Sequence, residues 1–161
     1  MATLLAWEVL FARVLCESLA QALGAEVEPF ELPADPGPTP RSELFALALA
    51  QARELRAGPG DDAYAAQRRA GVLGLLEHLR LAERLGPAYD ARELDELGAL
   101  LGRRPATLAE GLDALDALVR DSGASREPEL LAYFTRRAER AQTLYAPAMG
   151  ELARCRLSPL E

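Results

Sequence analysis

The chain has 161 residues, of which 50% are hydrophobic and 27% charged, a balance typical of a globular domain rather than a disordered or fibrous protein. Its net charge is −7, whereas a protein that binds duplex nucleic acid needs a basic face to displace counterions; we therefore expect no nucleic-acid partner. All 18 basic residues are Arg, and Lys, Asn and Ile are absent, a bias typical of a very GC-rich bacterial genome that also excludes lysine-based chemistry.

The two cysteines, Cys16 and Cys155, lie near opposite ends of the chain and fit neither a disulfide framework nor a metal knuckle. This pattern indicates a reducing compartment, so we predict a soluble, cytoplasmic protein. The first segment is apolar, but it contains Glu8, Arg13 and Glu17 and lacks a basic n-region. We therefore predict neither a signal peptide nor a membrane span there.

Residues 1–24 are predicted to form an N-terminal helix, from about Thr3 to Leu23, that ends at Gly24. Its apolar side chains form two stripes on roughly opposite sides of the helix. The first stripe consists of Leu5, Val9, Ala12, Cys16, Leu19 and Leu23, and the second of Leu4, Trp7, Phe11 and Val14. Because a surface helix needs only one apolar face, the second stripe is either buried within the chain's own bundle or is an interface with a partner protein or a second copy.

Residues 25–41 are predicted to form a semi-extended linker, because each proline fixes its φ angle and lacks an amide donor. The prolines of this linker are Pro29, Pro33, Pro36, Pro38 and Pro40. Residues 42–153 are predicted to form an antiparallel bundle of about five helices, since the connections between them are short, and residues 154–161 form a tail. The predicted fold class is therefore all-α, a helical bundle preceded by an N-terminal helix on a Pro-rich linker.

The bundle helices are expected to begin at capping residues and to end at Gly or Pro. They are predicted to run from Ser42 to about Ala57, from Asp61 or Asp62 to Leu85, from Asp90 to Gly102, from Thr107 onward, and from Ser125 to Pro147. Gly86-Pro87 is expected to end the second of these helices. Glu93 and Glu110 each follow a capping residue by three positions, which is the spacing of a capping box.

The long bundle helix places Gln67, Gly71, Gly74 and His78 on one face, at intervals of four, three and four residues. Each glycine inside a helix costs roughly 1 kcal/mol relative to Ala, so a smooth backbone is expected to serve a purpose there. The first interpretation is a close crossing with another helix. The second is a groove for a small ligand, with Gln67 and His78 as its polar contacts.

No set of residues has the spacing of a catalytic or metal site. His78 is the only histidine, it has no accompanying nucleophile motif, and Leu75 occupies the position where a Glu-x-x-His di-iron motif requires Glu. The acidic run is interpreted as carboxylates that favour a helix N-terminus; it consists of Asp90, Glu93, Asp95 and Glu96. We predict no catalytic residue, no metal site and no cofactor.

Three segments carry a resemblance to a known family: "RRAGVLGLLEHLRLAERLGP" (68–87), "LGALLG" (97–102) and "LLAYFTRRAERAQTLYAP" (130–147). Over residues 43–150 the chain resembles a small all-helical bacterial domain of unknown function that accompanies aminoglycoside-phosphotransferase-like kinases and acyl-CoA dehydrogenases. That family has an Ala-Asn step in its long helix. The step is absent from this chain, which has Gly71 and Val72 in that vicinity. The resemblance implies an accessory partner of a kinase that acts on hydroxylated acyl substrates, with no catalytic residues to transfer.

Three functions are compatible with these features. The first is a non-catalytic accessory or interaction subunit that binds a protein partner, or forms a homo-oligomer, through the N-terminal helix. The second is a small-molecule-binding bundle that uses the glycine-lined groove. The third is a small Arg-dependent enzyme, since "LDALDALVRD" (112–121) resembles helices of chorismate-mutase-like bundles, although such sites also use a Lys that this chain lacks.

Overall fold

The structure, a computed structural model, describes residues 2–27, 29–39, 41–56 and 63–156. Helix accounts for 82% of these residues and none of them lies in a strand, so the predicted all-α class is confirmed. The α-helices are α1 (Ala2–Leu23), α2 (Ser42–Arg56), α3 (Ala63–Leu101), α4 (Leu108–Asp121) and α5 (Glu127–Met149). Two short 3₁₀ segments, Ala124–Arg126 and Gly150–Arg154, flank α5. The predicted end of the first bundle helix at about Ala57 and the predicted caps Asp61 and Asp62 lie outside the described residues.

The predicted helix end at Gly86-Pro87 is wrong, because α3 continues through both residues for 39 residues in all. Proline removes one helical hydrogen bond and costs about 3 kcal/mol in a helix interior. Leu85 and Tyr89, which lie on either side of Gly86-Pro87, are both buried, whereas Pro87 itself is exposed. Burial of two large side chains contributes roughly 1.5–3 kcal/mol each and offsets that cost. Asp90 consequently lies inside α3 and caps no helix.

The last predicted helix ends close to where its proline indicated. Pro147 lies inside α5, and the helix continues for only two residues, to the buried Met149, before the chain enters the 3₁₀ segment. The beginning of α4 also follows the sequence pattern. The Thr107 side chain accepts a hydrogen bond from the backbone N–H of Glu110, which is the predicted N-cap.

The described residues divide into two compact units. Unit 1 takes its residues from Met1–Phe11, Asp35–Gly86 and Ala141–Cys155, and unit 2 from Ala12–Ala34, Pro87–Arg140 and Arg156–Glu161. Helices α1, α3 and α5 each have residues in both units. In the described part of the chain, no helix combines the length and the apolar character needed to cross a membrane.

In unit 1, α2 and α5 both run antiparallel to α3. Arg53 of α2 contacts Glu77, whereas Thr39, ahead of α2, donates to Glu83 further along α3. On α5, Leu144 lies at His78 and Pro147 at Gly74. The buried apolar side chains of this unit are Ala6, Leu10, Leu49, Leu73, Leu85 and Met149.

In unit 2, α3, α4 and α5 enclose a core that is centred on Leu97 and Tyr133, both 0% exposed. The other buried members of this core are Leu100, Leu115 and Leu130. Gly111 allows α4 to approach α3, because a Cβ atom at that position would lie 2.7 Å from a methyl carbon of Leu97. The C-terminal part of α1 packs on α5 through a smaller cluster made by Cys16, Leu131 and Ala138.

Candidate functional site

A row of large apolar side chains along α1 is left exposed by the fold. They occur at every fourth position, and we call them the apolar ridge: Trp7, Phe11, Leu15, Leu19 and Leu23. Their exposed fractions lie between 40% and 63%. The rings of Trp7 and Phe11 stack on each other with centroids 5.5 Å apart. The ridge is therefore an apolar surface along one helix, and large surfaces of this kind mark interaction sites.

The other side of α1 is buried through Ala6, Leu10, Arg13 and Cys16. Of the predicted interface residues, Trp7 and Phe11 belong to the apolar ridge, Val14 is half-buried, and the side chain of Leu4 lies outside the described residues. The first predicted stripe does not coincide with the buried face. The predicted stripe grouped the buried Cys16 with Leu19 and Leu23, which are exposed. The prediction omitted Arg13 because a charged residue is excluded from an apolar stripe, yet Arg13 is only 1% exposed.

The exposed surface of α1 has few polar groups. Among residues 6–23, the part of α1 whose side-chain exposure the structure describes, the exposed polar residues are Glu8 and Gln21, and only Glu8 bears a charge. Arg13, the single basic residue of the helix, is buried and lies 3.5 Å from Glu17. A partner would therefore contact the apolar ridge through apolar packing, because little charge lies beside it.

The glycine face of α3 contacts α5 at Gly74 but not at Gly71. A Cβ atom on Gly74 would lie 2.7 Å from the carbonyl oxygen of Pro147, so the space over Gly74 is filled by the backbone of α5. Gly71, by contrast, has no atom within 4 Å of its Cβ position, and Gln67 is exposed. At Gly74 the geometry is that of a helix crossing. The alternative, a ligand groove along Gln67, Gly71, Gly74 and His78, stays a prediction.

His78 contacts the same part of α5 as Gly74. Its Nδ1 atom lies 2.8 Å from the carbonyl oxygen of Leu144, and its ring stacks on Tyr145 with centroids 4.1 Å apart. Because a carbonyl oxygen only accepts hydrogen bonds, Nδ1 carries the proton. His78 thus holds α3 to α5 close to Pro147. The contact is structural and involves no acid–base partner.

A cluster of charged residues between α3 and α5 in unit 2 was not predicted as a unit. Glu96 accepts from Arg136 and Arg140 at 3.0 and 2.9 Å, and Glu93 pairs with Arg137 at 3.3 Å. Tyr133 donates to Glu93, and burial together with the nearby carboxylate raises the pKa of this tyrosine, so it remains a donor. From the sequence alone, these carboxylates were interpreted as groups that favour a helix N-terminus. Their partners lie 40 residues or more further along the chain, so no local pattern indicates the cluster.

The guanidinium groups of this cluster already face carboxylates. An anionic substrate would have to displace Glu93 or Glu96 from Arg140, whose side chain is only 4% exposed. Such a buried ion pair strongly resists the loss of one partner. The arrangement therefore supports a packing role and gives no support to an Arg-dependent anion site.

Among the described residues, no group of three or more His, Cys, Asp or Glu side chains could hold a metal ion. Comparison of the chain with family models, with curated proteins and with solved structures finds no match.

Proposed function

We propose that the chain is a non-catalytic interaction subunit that assembles with a second copy of itself through the apolar ridge of α1. The observation that carries this proposal is the exposure of the five large apolar side chains of the ridge on one helix. A soluble monomer gains nothing from such a surface, whereas an interface conceals it from water. Trp7 and Phe11 are also of the residue types that most often anchor interfaces.

The spacing of the ridge favours a second α1 helix as its partner. Side chains at four-residue intervals form the rows that interdigitate in the commonest class of helix packing, with an angle of about −50° between the helix axes. That class requires the same four-residue rows on both helices, so two copies of the ridge fit each other. The near absence of charge on the exposed side of α1 means that two copies do not repel one another there.

The size of the ridge indicates how tightly the copies associate. Complete burial of a large apolar side chain contributes roughly 1.5–3 kcal/mol, and these five are about half buried already, so covering them on both copies contributes up to about 10 kcal/mol. Association costs at least about 4 kcal/mol in lost rigid-body freedom. We therefore expect weak assembly that depends on protein concentration, unless neighbouring surfaces add to the contact.

Sedimentation velocity across a concentration series tests the proposal. The double substitution Trp7→Ser with Phe11→Ser is expected to shift the protein to monomer at concentrations where the wild type is a dimer. Thermal melts of dilute samples report whether the monomer fold is retained. The matched control is Leu44→Ser with Leu47→Ser, which removes two exposed apolar side chains from α2 and is expected to leave the dimer intact.

Two outcomes would contradict self-association. A wild type that sediments as a monomer at every concentration excludes the second copy as the partner. Equal weakening by the α2 control would indicate general stickiness rather than a specific ridge. The resemblance to the kinase-associated bacterial domain provides the alternative partner, a kinase-like enzyme, and a monomeric wild type would direct the search for a partner there.

A further inference from the structure

A groove in unit 2 lies between the Pro-rich segment after α1 and the side of α5. Its lining consists of Val27, Pro29, Phe30, Leu32, Thr135 and Glu139, and its volume is about 380 Å³. Small-molecule sites typically measure 300–1,000 Å³ and combine apolar walls with a few polar groups. The segment is held in place at its start, because Ala25 and Val27 pack against the cluster that Cys16 of α1 forms with Leu131 and Ala138 of α5. The groove therefore has the size and composition of a small-ligand site.

The polar lining comes from two residues one helical turn apart on α5. Thr135 and Glu139 are separated by four positions, so both side chains lie on the same side of the helix. The Thr135 hydroxyl also lies beside the Cys16 thiol; burial raises the pKa of that thiol, and the hydrogen bond with Thr135 partly opposes the increase. One end of the groove thus carries a carboxylate, while Val27, Pro29, Phe30 and Leu32 form an apolar wall.

The charges around Glu139 do not cancel. Arg13 lies beside it, and Glu17, which lies 3.5 Å from Arg13, adds a second carboxylate. Burial raises the pKa of Glu139 and Glu17 raises it further, whereas Arg13 lowers it. Residues 25–40 contain no basic residue that could neutralise these carboxylates. The region is therefore net negative and favours a cationic ligand.

We propose that this groove binds a small organic cation, a protonated amine that carries a compact apolar group. The ammonium donates hydrogen bonds to the Glu139 carboxylate, on the side of α5 that Thr135 also lines. The apolar group lies against Val27, Phe30 and Leu32. An anionic ligand of the same shape would face the excess negative charge and be rejected. This proposal is independent of the one for the apolar ridge, which concerns other side chains of α1.

Phenethylamine is a suitable probe, and its neutral counterpart 2-phenylethanol and the anion phenylacetate are matched comparators. We expect saturable binding of phenethylamine, followed by NMR chemical shifts, with a dissociation constant on the order of 1 mM for a ligand of this size. Neither comparator is expected to bind measurably. Lowering the pH is expected to weaken binding as Glu139 becomes protonated.

Two substitutions distinguish the groove from general attraction to an acidic protein. Glu139→Gln is expected to weaken binding by about tenfold or more, which corresponds to a loss of at least about 1.4 kcal/mol. The control Glu31→Gln removes the same charge from the exposed part of the linker, and we expect it to leave the affinity almost unchanged. Thermal melts of both variants verify the fold. Phe30→Ala, which removes part of the apolar wall, tests the same site should Glu139→Gln fail to fold.

Three results would overturn the proposal. The first is the absence of saturable phenethylamine binding by the wild-type protein. The second is equal weakening by Glu31→Gln and Glu139→Gln, or unchanged binding in Phe30→Ala. The third is binding of 2-phenylethanol as tight as that of the amine, because the carboxylate would then play no part in recognition.

Discussion

The Nδ1 atom of His78 and the carbonyl oxygen of Leu144 lie 2.8 Å apart, although 66 residues separate them in the chain. This hydrogen bond is made one turn of α3 after Gly74 and just before Pro147 in α5. The contact has two parts, a hydrogen bond and the stacking of the His78 ring on Tyr145. It explains why the one histidine of the protein lies on the glycine face.

We predict that His78→Phe destabilises the protein by about 1 kcal/mol, because the aromatic stacking is retained while the Leu144 carbonyl loses its donor. His78→Ala is expected to cost more, since it removes the stacking as well. Urea denaturation of the two variants and the wild type gives both differences. Equal stability of His78→Phe and the wild type would mean that the hydrogen bond contributes nothing.

Gly74 and Gly71 are expected to respond to alanine in opposite directions. At Gly74 the new Cβ atom would approach the Pro147 carbonyl to 2.7 Å, so we predict a loss of about 1–2 kcal/mol from overpacking. At Gly71 nothing lies within 4 Å, and alanine is expected to add up to about 1 kcal/mol through its higher helix propensity. Denaturation midpoints of the two single variants measure this. A stable Gly74→Ala protein would show that α5 does not cross there.

The charged cluster in unit 2 allows a comparison of buried and exposed pairs on adjacent positions of α3. Glu96→Gln leaves Arg140 with only the more distant Glu93 at 3.7 Å, and we predict a loss of about 3 kcal/mol. Asp95→Asn makes the same chemical change in an exposed pair with Arg104, and its expected cost is below about 1 kcal/mol. Similar costs for the two substitutions would argue against a stabilising role for the buried cluster.

Glu110, at the start of α4, makes stability depend on pH. Its pKa is lowered from 4.5, first by the hydrogen bond from the Ala106 amide and then by Arg103. A carboxylate with a lowered pKa in the folded protein stabilises the fold above the unfolded value, and this contribution is lost as the pH falls through the folded value. We therefore predict that the wild type is more stable than Glu110→Gln at neutral pH and that the difference shrinks below about pH 4.5. Melting temperatures of both proteins across this range check the prediction, and a difference that stays constant with pH would contradict it.

Several features could be determined from the sequence alone because they depend on neighbours along the chain. The all-α class follows from apolar residues at helical intervals. Thr107 marks the start of α4, since a capping side chain bonds to an amide three residues away. The aromatic pair Trp7 and Phe11 could be selected as candidate interface residues because they are large and lie one turn apart on α1.

Other features were decided by tertiary structure, because they depend on partners far away in the chain. The sequence around Gly86-Pro87 predicts a helix end, and only burial of Leu85 and Tyr89 against other helices keeps α3 continuous. The groove beside Glu139 likewise requires the linker to lie along α5, which no local pattern specifies. Arg13 is the clearest case. An arginine on an amphipathic helix is expected to face water, and its burial here is favoured because α5 brings Glu139 beside it, in addition to Glu17 on its own helix.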